Sequence, residues 1–223
     1  NVDQRKICFA EMQTAGRGRR GRTWVSPFAR NLYFSLLWPF SQGIAAIQGL
    51  SLAVGLAVHR AMAKMGVQGV GLKWPNDILA GDKKLGGILI EITGDVTDAC
   101  QVVIGVGLNL DIRAQDLALI DQQAIGVKQL GVEINRNEIT ASIVSELVQL
   151  LKEFSNDGFA PLQAEWNGAD AFRGREVKLI LPSSEIKGIC AGVNEKGELA
   201  LETSDGLQMF NAGEVSLRLG GSE

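Results

Sequence analysis

Residues 70–95 of the sequence, VGLKWPNDILAGDKKLGGILIEITGD, indicate the fold class most directly. An apolar run enters KWPND at 73–77, the segment AGDK forms a tight turn at 80–83, and the apolar run LGGILIEI returns at 85–92. Two apolar runs joined by a short glycine-containing turn are typical of an antiparallel β-hairpin. We therefore predict a sheet built around this hairpin.

The segments on either side of the hairpin supply further strands and helices. Three apolar runs predict strands: KICFAEMQ at 6–13, NLYFSLLW at 31–38 and CQVVIGVGLNL at 100–110. Apolar residues at helical spacing predict three helices, at 43–65, 135–156 and 161–166. Pro39 is expected to end the second strand, and residues 111–134 are expected to form a loop with short helices.

The pattern of apolar residues and turns changes after Phe172. Residues 174–219 are short alternating runs separated by the turns PSS, EKG and SDG, a spacing typical of a small antiparallel barrel of about five strands. We place a domain boundary near residues 168–173 and predict two domains, residues 1–170 and residues 171–223. Helices combined with antiparallel strands indicate the α+β class.

Composition and charge exclude several classes of protein. The chain has 223 residues, of which 46% are hydrophobic and 21% charged, and its formal net charge is −3. This composition provides for a buried core and disfavours a disordered protein or a general nucleic-acid binder. His59 is the only histidine, which disfavours a histidine-rich metal site and a Ser-His-Asp triad.

The cysteines and the hydropathy pattern indicate the cellular compartment. Three widely spaced cysteines form neither a disulfide framework nor a zinc knuckle and suit a reducing cytoplasm: Cys8, Cys100 and Cys190. No charged residue lies between Arg30 and Arg60, but polar and turn-forming residues interrupt that window. The first residues contain no apolar signal-peptide region. We predict a soluble, cytoplasmic protein without a membrane span.

The strongest local motif is GRGRRGR at Gly16–Arg22, which we call the arginine loop. Glycines allow the backbone to approach an anion closely, and guanidinium groups bind phosphate oxygens in pairs. The motif lacks the GKS or GKT ending of a Walker loop. The alternatives are a solvated basic turn and an RGG-like contact with nucleic acid.

The hairpin contributes two further candidates. KWPND is either a strand-end turn with a tryptophan in the core, or a motif that places Lys73 and Asp77 at the mouth of a pocket. Lys84 enters an otherwise apolar strand and can neutralise developing phosphate charge, although lysines near hairpin turns are more often solvated. GVGLN at 105–109 predicts either the close approach of a ligand or a bulge.

Taken in order, three segments resemble the biotin protein ligase family, and most closely its bacterial biotin–[acetyl-CoA-carboxylase] ligases. They are GRGRRGRTWVSPFARNLYFSLLW at 16–38, KWPNDILAGDKKLGGILIEITGD at 73–95 and VVIGVGLNL at 102–110. The resemblance covers nearly the whole chain. It implies a mixed-sheet, class II synthetase-like catalytic domain followed by a small SH3-like β-barrel.

The resemblance also implies a two-step reaction. The carboxylate of biotin attacks the α-phosphate of ATP, giving biotinyl-5′-AMP and pyrophosphate. The ε-amine of a lysine on the biotin carboxyl carrier protein of acetyl-CoA carboxylase then attacks this mixed anhydride and releases AMP. Mg²⁺ is expected to accompany the triphosphate.

By resemblance, the site residues fall into three overlapping groups and include no protein-held metal. The biotin-binding group is Gln13, Gly16, Arg17, Gly18, Arg19, Trp24, Tyr33, Lys84, Gly87, Ile88 and Gly105. The nucleotide-binding group is Arg19, Arg22, Trp24, Asn76, Lys84 and Asn109. The catalytic group is Lys84, Arg19, Arg22, Lys73 and Asp77. Lys84 would stabilise the charge that builds on the phosphoryl oxygens, and Asp77 would receive or orient the acceptor lysine.

The sequence departs from the family pattern in two places. The family has a strand and a helix before KICFAEMQ, with a Ser-Thr-Asn segment that contacts the biotin ring. We therefore expect a catalytic domain without its first strand and helix, and no winged helix-turn-helix or nucleic-acid binding in this segment. The loop at 111–126, expected to order over the adenylate, contains no aromatic residue. Stacking on adenine is not expected from it.

Two other functions stay open at this stage. A lipoate protein ligase or lipoyl transferase shares the catalytic architecture, and turnover with lipoate instead of biotin would identify it. A non-enzymatic module would bind oligonucleotides through the arginine loop in a salt-sensitive manner. Relatives commonly dimerise through sheet edges, so we also expect an exposed edge strand to allow a homodimer.

Overall fold

The computed structural model describes residues 5–94, 100–213 and 215–220. Asp95, the last residue of the quoted hairpin, and the outermost residues of both predicted domains lie outside these ranges. The described chain forms two antiparallel sheets and four α-helices.

The bounds of the elements are as follows. The first sheet contains β1 (Lys6–Ala10), β2 (Leu32–Phe40), β3 (Val70–Lys73), β4 (Asp77–Ala80), β5 (Lys83–Gly94) and β6 (Cys100–Leu108). The second sheet contains β7 (Glu176–Ile180), β8 (Glu185–Val193), β9 (Leu199–Thr203), β10 (Gly206–Phe210) and β11 (Ser216–Leu219). The α-helices are α1 (Leu50–Lys64), α2 (Ala114–Leu117), α3 (Arg136–Asp157) and α4 (Gln163–Ala169).

The first sheet has the strand order β1-β2-β6-β5-β4-β3, and all pairings between its named strands are antiparallel. The α+β class is confirmed, whereas the prediction of a mixed sheet is wrong for the described strands. The reason is topological. Helix α1 connects β2 to β3, which run in the same direction, but β6, β5 and β4 lie between them, so strands of the same direction are not neighbours.

The hairpin prediction is correct at the AGDK turn and incomplete at KWPND. The chain reverses twice, because β3 and β4 pair with each other before β4 pairs with β5. The reversal at KWPND brings Lys73 opposite Asp77 in the register. Pro75 lacks an N–H and Asn76 favours turns, so this segment forms a corner that separates two short strands.

Pro39 does not end β2, contrary to the prediction. It lies inside the strand and pairs with Gln101 of β6. On the other side of β2, the described part of β1 begins with Lys6 opposite Leu37, before Pro39 is reached. Since the missing N–H of Pro39 removes at most one ladder hydrogen bond, the strand continues to Phe40.

The two long helices follow the predicted apolar stripes with shifted ends. Gly49 adopts a φ of 80° at the N-terminus of α1, which separates this helix from a preceding 3₁₀ turn at Ile44–Ile47. The N-terminus of α3 is capped by Asn135, whose side-chain oxygen accepts the N–H of Asn137 at 2.8 Å. Its predicted apolar stripe is buried, from Ile139 through to Phe154.

Residues Ile44–Lys64 are long and apolar enough to cross a membrane by length and composition. In the structure this segment contains a core helix, because ten of the 15 residues of α1 are buried. Helix α3 packs along α1, and strands of the first sheet lie against it. The apolar character of α1 is therefore accounted for by packing inside the protein.

The second sheet contains the five strands expected after Phe172, in the order β10-β9-β8-β7-β11. Its strands do not close into a barrel by hydrogen bonding, because β11 pairs with β7 and not with β10. The prediction of a closed barrel is therefore wrong for the described strands. Instead, β10 and β11 lie at opposite edges of this sheet.

A continuous apolar core joins the two sheets. The indole Nε1 of Trp74 donates to the carbonyl of Gly197, which precedes β9, at 3.1 Å. Leu199 and Leu201 of β9 belong to the same buried cluster as the apolar residues of α1. The second sheet is thereby held beside the KWPND corner, at one side of the candidate site.

Candidate active site

The face of the first sheet that turns away from α1 and α3 forms the floor of a cavity of about 290 Å³. Successive residues of a strand point to opposite faces, and the buried alternation of β6 shows Val102, Ile104 and Val106 on the helix side. Gly105 and Gly107 therefore belong to the cavity side. Gly87 of β5 pairs with Gly107 in the register, so two adjacent strands offer bare backbone at this point.

Trp24 lies directly on this glycine floor. A Cβ atom on Gly107 would lie 2.6 Å from Cε2 and Cζ2 of the indole, so only glycine leaves room for the ring. The Nζ atom of Lys84 lies 5.5 Å from the ring centroid. Among the described residues, the Nε1 of Trp24 is a buried donor without a hydrogen-bond partner. The indole therefore walls the cavity and has an unused donor.

The arginine loop folds back on itself at the cavity mouth. The N–H of Gly18 donates to the carbonyl of Arg22 at 2.8 Å, and the N–H of Trp24 donates to the carbonyl of Gly16 at 2.9 Å. Arg20 takes a left-handed conformation with φ 59° at the tip. The loop thus forms a short hairpin-like turn that projects its guanidinium groups in different directions.

Two arginines of the loop are held by distant partners. The Nη2 of Arg17 forms an ion pair with Oε2 of Glu91 on β5 at 2.9 Å. Arg19 donates from Nη1 to Oδ1 of Asn76 at 3.3 Å and from Nη2 to the carbonyls of Ala212 and Gly213, between β10 and β11. Burial lowers the pKa of the Arg19 guanidinium below its ordinary value, and the nearby Asp77 opposes this shift. Arg19 remains a cation in a partly dry environment.

A buried carboxylate lies between two ammonium groups in the cavity. The Oδ1 of Asp77 is 2.6 Å from Nζ of Lys84, and its Oδ2 is 3.2 Å from Nζ of Lys73. Burial alone would raise the pKa of Asp77, but the charges and hydrogen bonds of Lys84 and Lys73 outweigh it, so the pKa is below its ordinary value. Burial lowers the pKa of Lys73 against the attraction of Asp77. The trio thus offers one net positive charge to an anion.

The KWPND corner is fixed by hydrogen bonds to β5. The amide Nδ2 of Asn76 donates to the carbonyl of Ile88 at 2.8 Å, and the N–H of Ile88 donates to the carbonyl of Asn76 at 2.9 Å. The hydroxyl of Ser51 on α1 donates to the carbonyl of Pro75 at 3.0 Å. Asn76 and Asp77 therefore occupy fixed positions relative to the glycine floor.

The structure brings most of the predicted site residues together around this one cavity. Those that line it are Gln13, Arg17, Gly18, Arg19, Arg22, Trp24, Lys73, Asn76, Asp77, Lys84, Gly87, Ile88 and Gly105. Lys84 is a cavity residue with 15% of its side chain exposed, so the solvated interpretation of this lysine is wrong, and its functional role stays a prediction. Their individual roles stay predictions.

Three predicted residues do not line the cavity. Gly16 is buried, and a Cβ atom there would lie 2.5 Å from the carbonyl of Trp24, so it shapes the loop. Tyr33 is buried and its hydroxyl donates to the carbonyl of Pro27 at 3.3 Å, with burial raising its pKa to about 12. The side chain of Asn109 is buried and donates to the carbonyl of Lys84 at 3.3 Å. The contact of Asn109 with a nucleotide stays a prediction.

Several cavity residues were missed by the sequence interpretation. Glu91 lies on β5 two positions beyond Leu89 and four beyond Gly87, so strand alternation would have placed it on the cavity side. Val215, Ser216 and Leu217 also line the cavity, and they come from the end of the second sheet. Their position depends on how the two sheets pack, for which the local sequence has no signal.

The loop at 111–126 is joined to the start of β5. The N–H of Lys84 donates to the carbonyl of Gln123 at 2.9 Å, and the N–H of Ile125 donates to the carbonyl of Lys84 at 2.9 Å. Asp121 and Gln122, next to this connection, line the cavity. The loop therefore reaches the site through its polar residues.

The described residues contain no group of three or more His, Cys, Asp or Glu side chains that could hold a metal ion. Two of the cavity carboxylates, Asp77 and Glu91, are in ion pairs. Asp121 is a cavity carboxylate with no ion pair to a described residue. Because Mg²⁺ needs only one or two carboxylates when phosphates supply the other ligands, these donors fit an ion that arrives bound to a nucleotide.

Comparisons with known proteins agree over both parts of the chain. The model of the "Biotin/lipoate A/B protein ligase family" matches residues 1–109, and that of the "Biotin protein ligase C terminal domain" matches residues 172–218. The "Bifunctional ligase/repressor BirA" of Escherichia coli is 43% identical over 95% of this chain, which spans 66% of that relative. The "Biotin--[acetyl-CoA-carboxylase] ligase" of Mycobacterium tuberculosis is 33% identical over 94% of this chain and 77% of its own length.

A solved structure has a similar backbone throughout. The biotin protein ligase of Aquifex aeolicus in complex with biotin and ATP matches with a TM-score of 0.82 and 30% sequence identity. The match covers 96% of this chain and 89% of the Aquifex aeolicus chain. The match therefore includes both sheets of this chain.

Proposed function

The chain belongs to the biotin protein ligase family, and from this premise we propose that it activates biotin with ATP and transfers biotin to a carrier lysine. The acceptor is the biotin carboxyl carrier protein of acetyl-CoA carboxylase. The single observation that carries the proposal is the convergence of Lys84, Arg19 and the Lys73–Asp77 pair on one glycine-floored cavity. Such a cavity combines a flat surface for a ring with cations for phosphate.

In the first step a carboxylate oxygen of biotin attacks the α-phosphorus of ATP, the bond to the β-phosphate oxygen breaks, and pyrophosphate leaves. Negative charge concentrates on the α-phosphoryl oxygens as the bond forms. Lys84 and Arg19 are the cations that would stabilise this charge, because both line the cavity and neither has to move a proton. Their contribution is electrostatic and pre-positioned.

In the second step the neutral ε-amine of the carrier lysine attacks the acyl carbon, and AMP leaves as the anhydride bond breaks. Asp77 would orient that amine by accepting a hydrogen bond from it. Its pKa lies below its ordinary value because two ammonium groups flank it, so the carboxylate stays ionised and able to accept. The amine loses its proton to solvent after attack.

Five finer points belong to the same proposal. Mg²⁺ arrives bound to ATP, and Asp121 is the cavity carboxylate that would contribute a ligand to it. The second sheet is an SH3-like module, which the family match over residues 172–218 supports. The protein acts in the cytoplasm, binds no nucleic acid through this segment, and forms a homodimer through an exposed sheet edge.

The experiment is mass spectrometry of a carrier domain incubated with the protein, biotin and ATP, alongside the same assay on the full-length gene product. We expect the addition of one biotinyl group that requires both small molecules and the acceptor lysine. Lipoate in place of biotin should give no addition. Turnover with lipoate alone would assign the protein to the lipoate-specific branch, and binding of oligonucleotides without turnover would overturn the enzymatic proposal.

A further inference from the structure

Arg19 connects the arginine loop to the second sheet. Its Nη2 donates to the backbone carbonyls of Ala212 at 2.5 Å and Gly213 at 2.6 Å, which lie 193 and 194 residues further along the chain. These carbonyls belong to the segment between β10 and β11, which we call the 211–213 turn. The contact joins a loop at the cavity mouth to a part of the fold that carries none of the predicted site residues.

The geometry of this contact fixes the guanidinium plane. A guanidinium nitrogen such as Nη2 has two N–H groups, and each has a carbonyl partner here. Nη1 donates to Asn76 on the opposite side. Three acceptors on a planar group leave it little rotational freedom, so the 211–213 turn sets the orientation of Arg19.

Apart from hydrogen bonds within the loop, the other distant contact of the arginine loop is the solvent-exposed ion pair between Arg17 and Glu91, and exposed ion pairs contribute little. The side chain of Arg17 is 69% exposed, and Arg20 at the tip is exposed as well. Arg19 itself is half-buried, and burial lowers its pKa, so its carbonyl partners replace part of the water that the cation loses. The two carbonyls are therefore the main anchor of the tip within the described residues.

The anchoring leaves donors of Arg19 for a substrate. Its hydrogen bonds to described residues start from Nη1 and Nη2, so the N–H of Nε and one N–H of Nη1 are available. A phosphate oxygen can therefore be bound while the turn holds the other nitrogen. The contact positions Arg19 and does not compete with a phosphate.

The turn is itself held in place. The carbonyl of Gly213 also accepts the N–H of Val215 at 2.9 Å, and Val215 lines the cavity. The Oδ1 of Asn211 accepts a hydrogen bond from Nε2 of Gln48 at 3.4 Å. The turn is thus fixed to the chain segment that precedes α1.

We propose that the 211–213 turn is a positioning element of the active site, which holds Arg19 over the cavity and thereby retains the acyl-adenylate until the carrier lysine arrives. This inference rests on the proposed function and deepens it. The second sheet then takes part in the reaction through main-chain carbonyls, which no substitution of a catalytic side chain would reveal.

Two variants test the proposal and one serves as control. Deletion of Gly213 removes one carbonyl and shortens the turn, whereas Asn211→Ala keeps the turn length and removes its hydrogen bond to Gln48. Ser204→Ala truncates a side chain in the exposed turn between β9 and β10, away from the arginine loop. Circular dichroism and thermal unfolding of all three show whether the fold is retained.

The first readout needs no activity. Trypsin cleavage after Arg20 in the ligand-free protein should be about tenfold faster in the deletion variant, because a hydrogen bond to a charged group is worth roughly 1.5–3 kcal/mol. Asn211→Ala should show a smaller increase and Ser204→Ala none. Equal cleavage rates in wild type and in a folded deletion variant would overturn the proposed anchor.

The second readout is the rate at which preformed biotinyl-5′-AMP is released, measured by rapid filtration. The dissociation rate should rise about tenfold in the deletion variant, with a smaller rise in Asn211→Ala and no change in Ser204→Ala. If wild type forms no adenylate, the proposed function fails while the trypsin result still reports on the anchor. If wild type forms it and both test variants retain it equally well, the positioning role fails alone.

Discussion

Lys84 and Lys83 are sequence neighbours that point to opposite faces of β5. Lys84 lines the cavity and is 2.6 Å from Asp77, while Lys83 is exposed and outside the lining residues. The pair therefore allows a matched test in which the same change is made one residue apart.

We predict that Lys84→Ala lowers the rate of adenylate formation by about 100-fold to 1,000-fold, in line with the loss of one electrostatic donor at a reacting centre. The fold should survive, because Asp77 keeps its ion pair with Lys73. Pyrophosphate exchange measures the rate, and thermal unfolding checks the fold. Lys83→Ala should retain wild-type exchange. Full exchange in Lys84→Ala would contradict the role given to this ammonium group.

At the scale of strands, substitutions of the two cavity-side glycines of β6 distinguish an effect on stability from an effect on biotin binding. A Cβ atom on Gly107 would meet the indole of Trp24 at 2.6 Å, whereas one on Gly105 would make ordinary contacts of 3.4 Å and 3.6 Å with Leu89. We predict that Gly107→Ala displaces the indole and costs about 1–3 kcal/mol of unfolding free energy. Gly105→Ala should leave stability within about 0.5 kcal/mol and raise the KM for biotin.

Urea unfolding and steady-state kinetics of these two variants give the comparison. Tryptophan emission should shift in Gly107→Ala and stay unchanged in Gly105→Ala, because only the first displaces a ring. A normal emission spectrum and normal stability in Gly107→Ala would show that Trp24 does not rest on this strand.

Strands were also where sequence interpretation worked best and where it first failed. The strand predicted at 100–110 is found as β6 at Cys100–Leu108, because an apolar run of extended chain is a local property. The same local reasoning ended β2 at Pro39, since it could not show that β1 begins opposite Leu37. Partners across a sheet are long-range information, and so is the position of Ala212 and Gly213 next to Arg19.

At the scale of the whole molecule, Asp170 lies where the two sheets meet, and its side chain is partly buried there. Burial raises its pKa above the ordinary value of 3.8, against hydrogen bonds from the N–H of Phe172 and the thiol of Cys190. Burial likewise raises the pKa of the Cys190 thiol to about 12, so this thiol stays protonated and able to donate.

A raised pKa in the folded state has a definite sign for stability. The folded protein binds the Asp170 proton more tightly than the unfolded chain does, so its contribution is full below pH 3.8 and is lost as pH rises through the folded pKa. We predict that Asp170→Asn removes this decrease in unfolding free energy, because asparagine does not titrate. The difference in unfolding free energy, variant minus wild type, should increase from about pH 4 towards neutral pH. Urea titrations across that range measure it, and a difference that does not change with pH would contradict the titration of Asp170.

The continuous core between the sheets predicts that the two sequence-defined domains unfold together. All four tryptophans precede Asp170, so their fluorescence reports on the first part of the chain, while hydrogen exchange of β8 and β9 reports on the second. We expect both probes to give one midpoint in urea. Trp74→Phe leaves the carbonyl of Gly197 without its buried donor. It should lower the free energy of unfolding by about 2–3 kcal/mol, and both probes should report the same decrease.

Trp38→Phe is the matched control for this last prediction, because the Nε1 of Trp38 donates to Ser155 within the first part of the chain at 3.4 Å. If the chain unfolds as a single cooperative unit, loss of this hydrogen bond should also lower the urea midpoint that hydrogen exchange of β8 and β9 reports. Two separate midpoints, or a shift in fluorescence alone, would show that the second sheet unfolds independently. In that case the sheet could not hold Arg19 rigidly through the 211–213 turn, so the cooperativity of unfolding bears directly on the chemistry at the cavity.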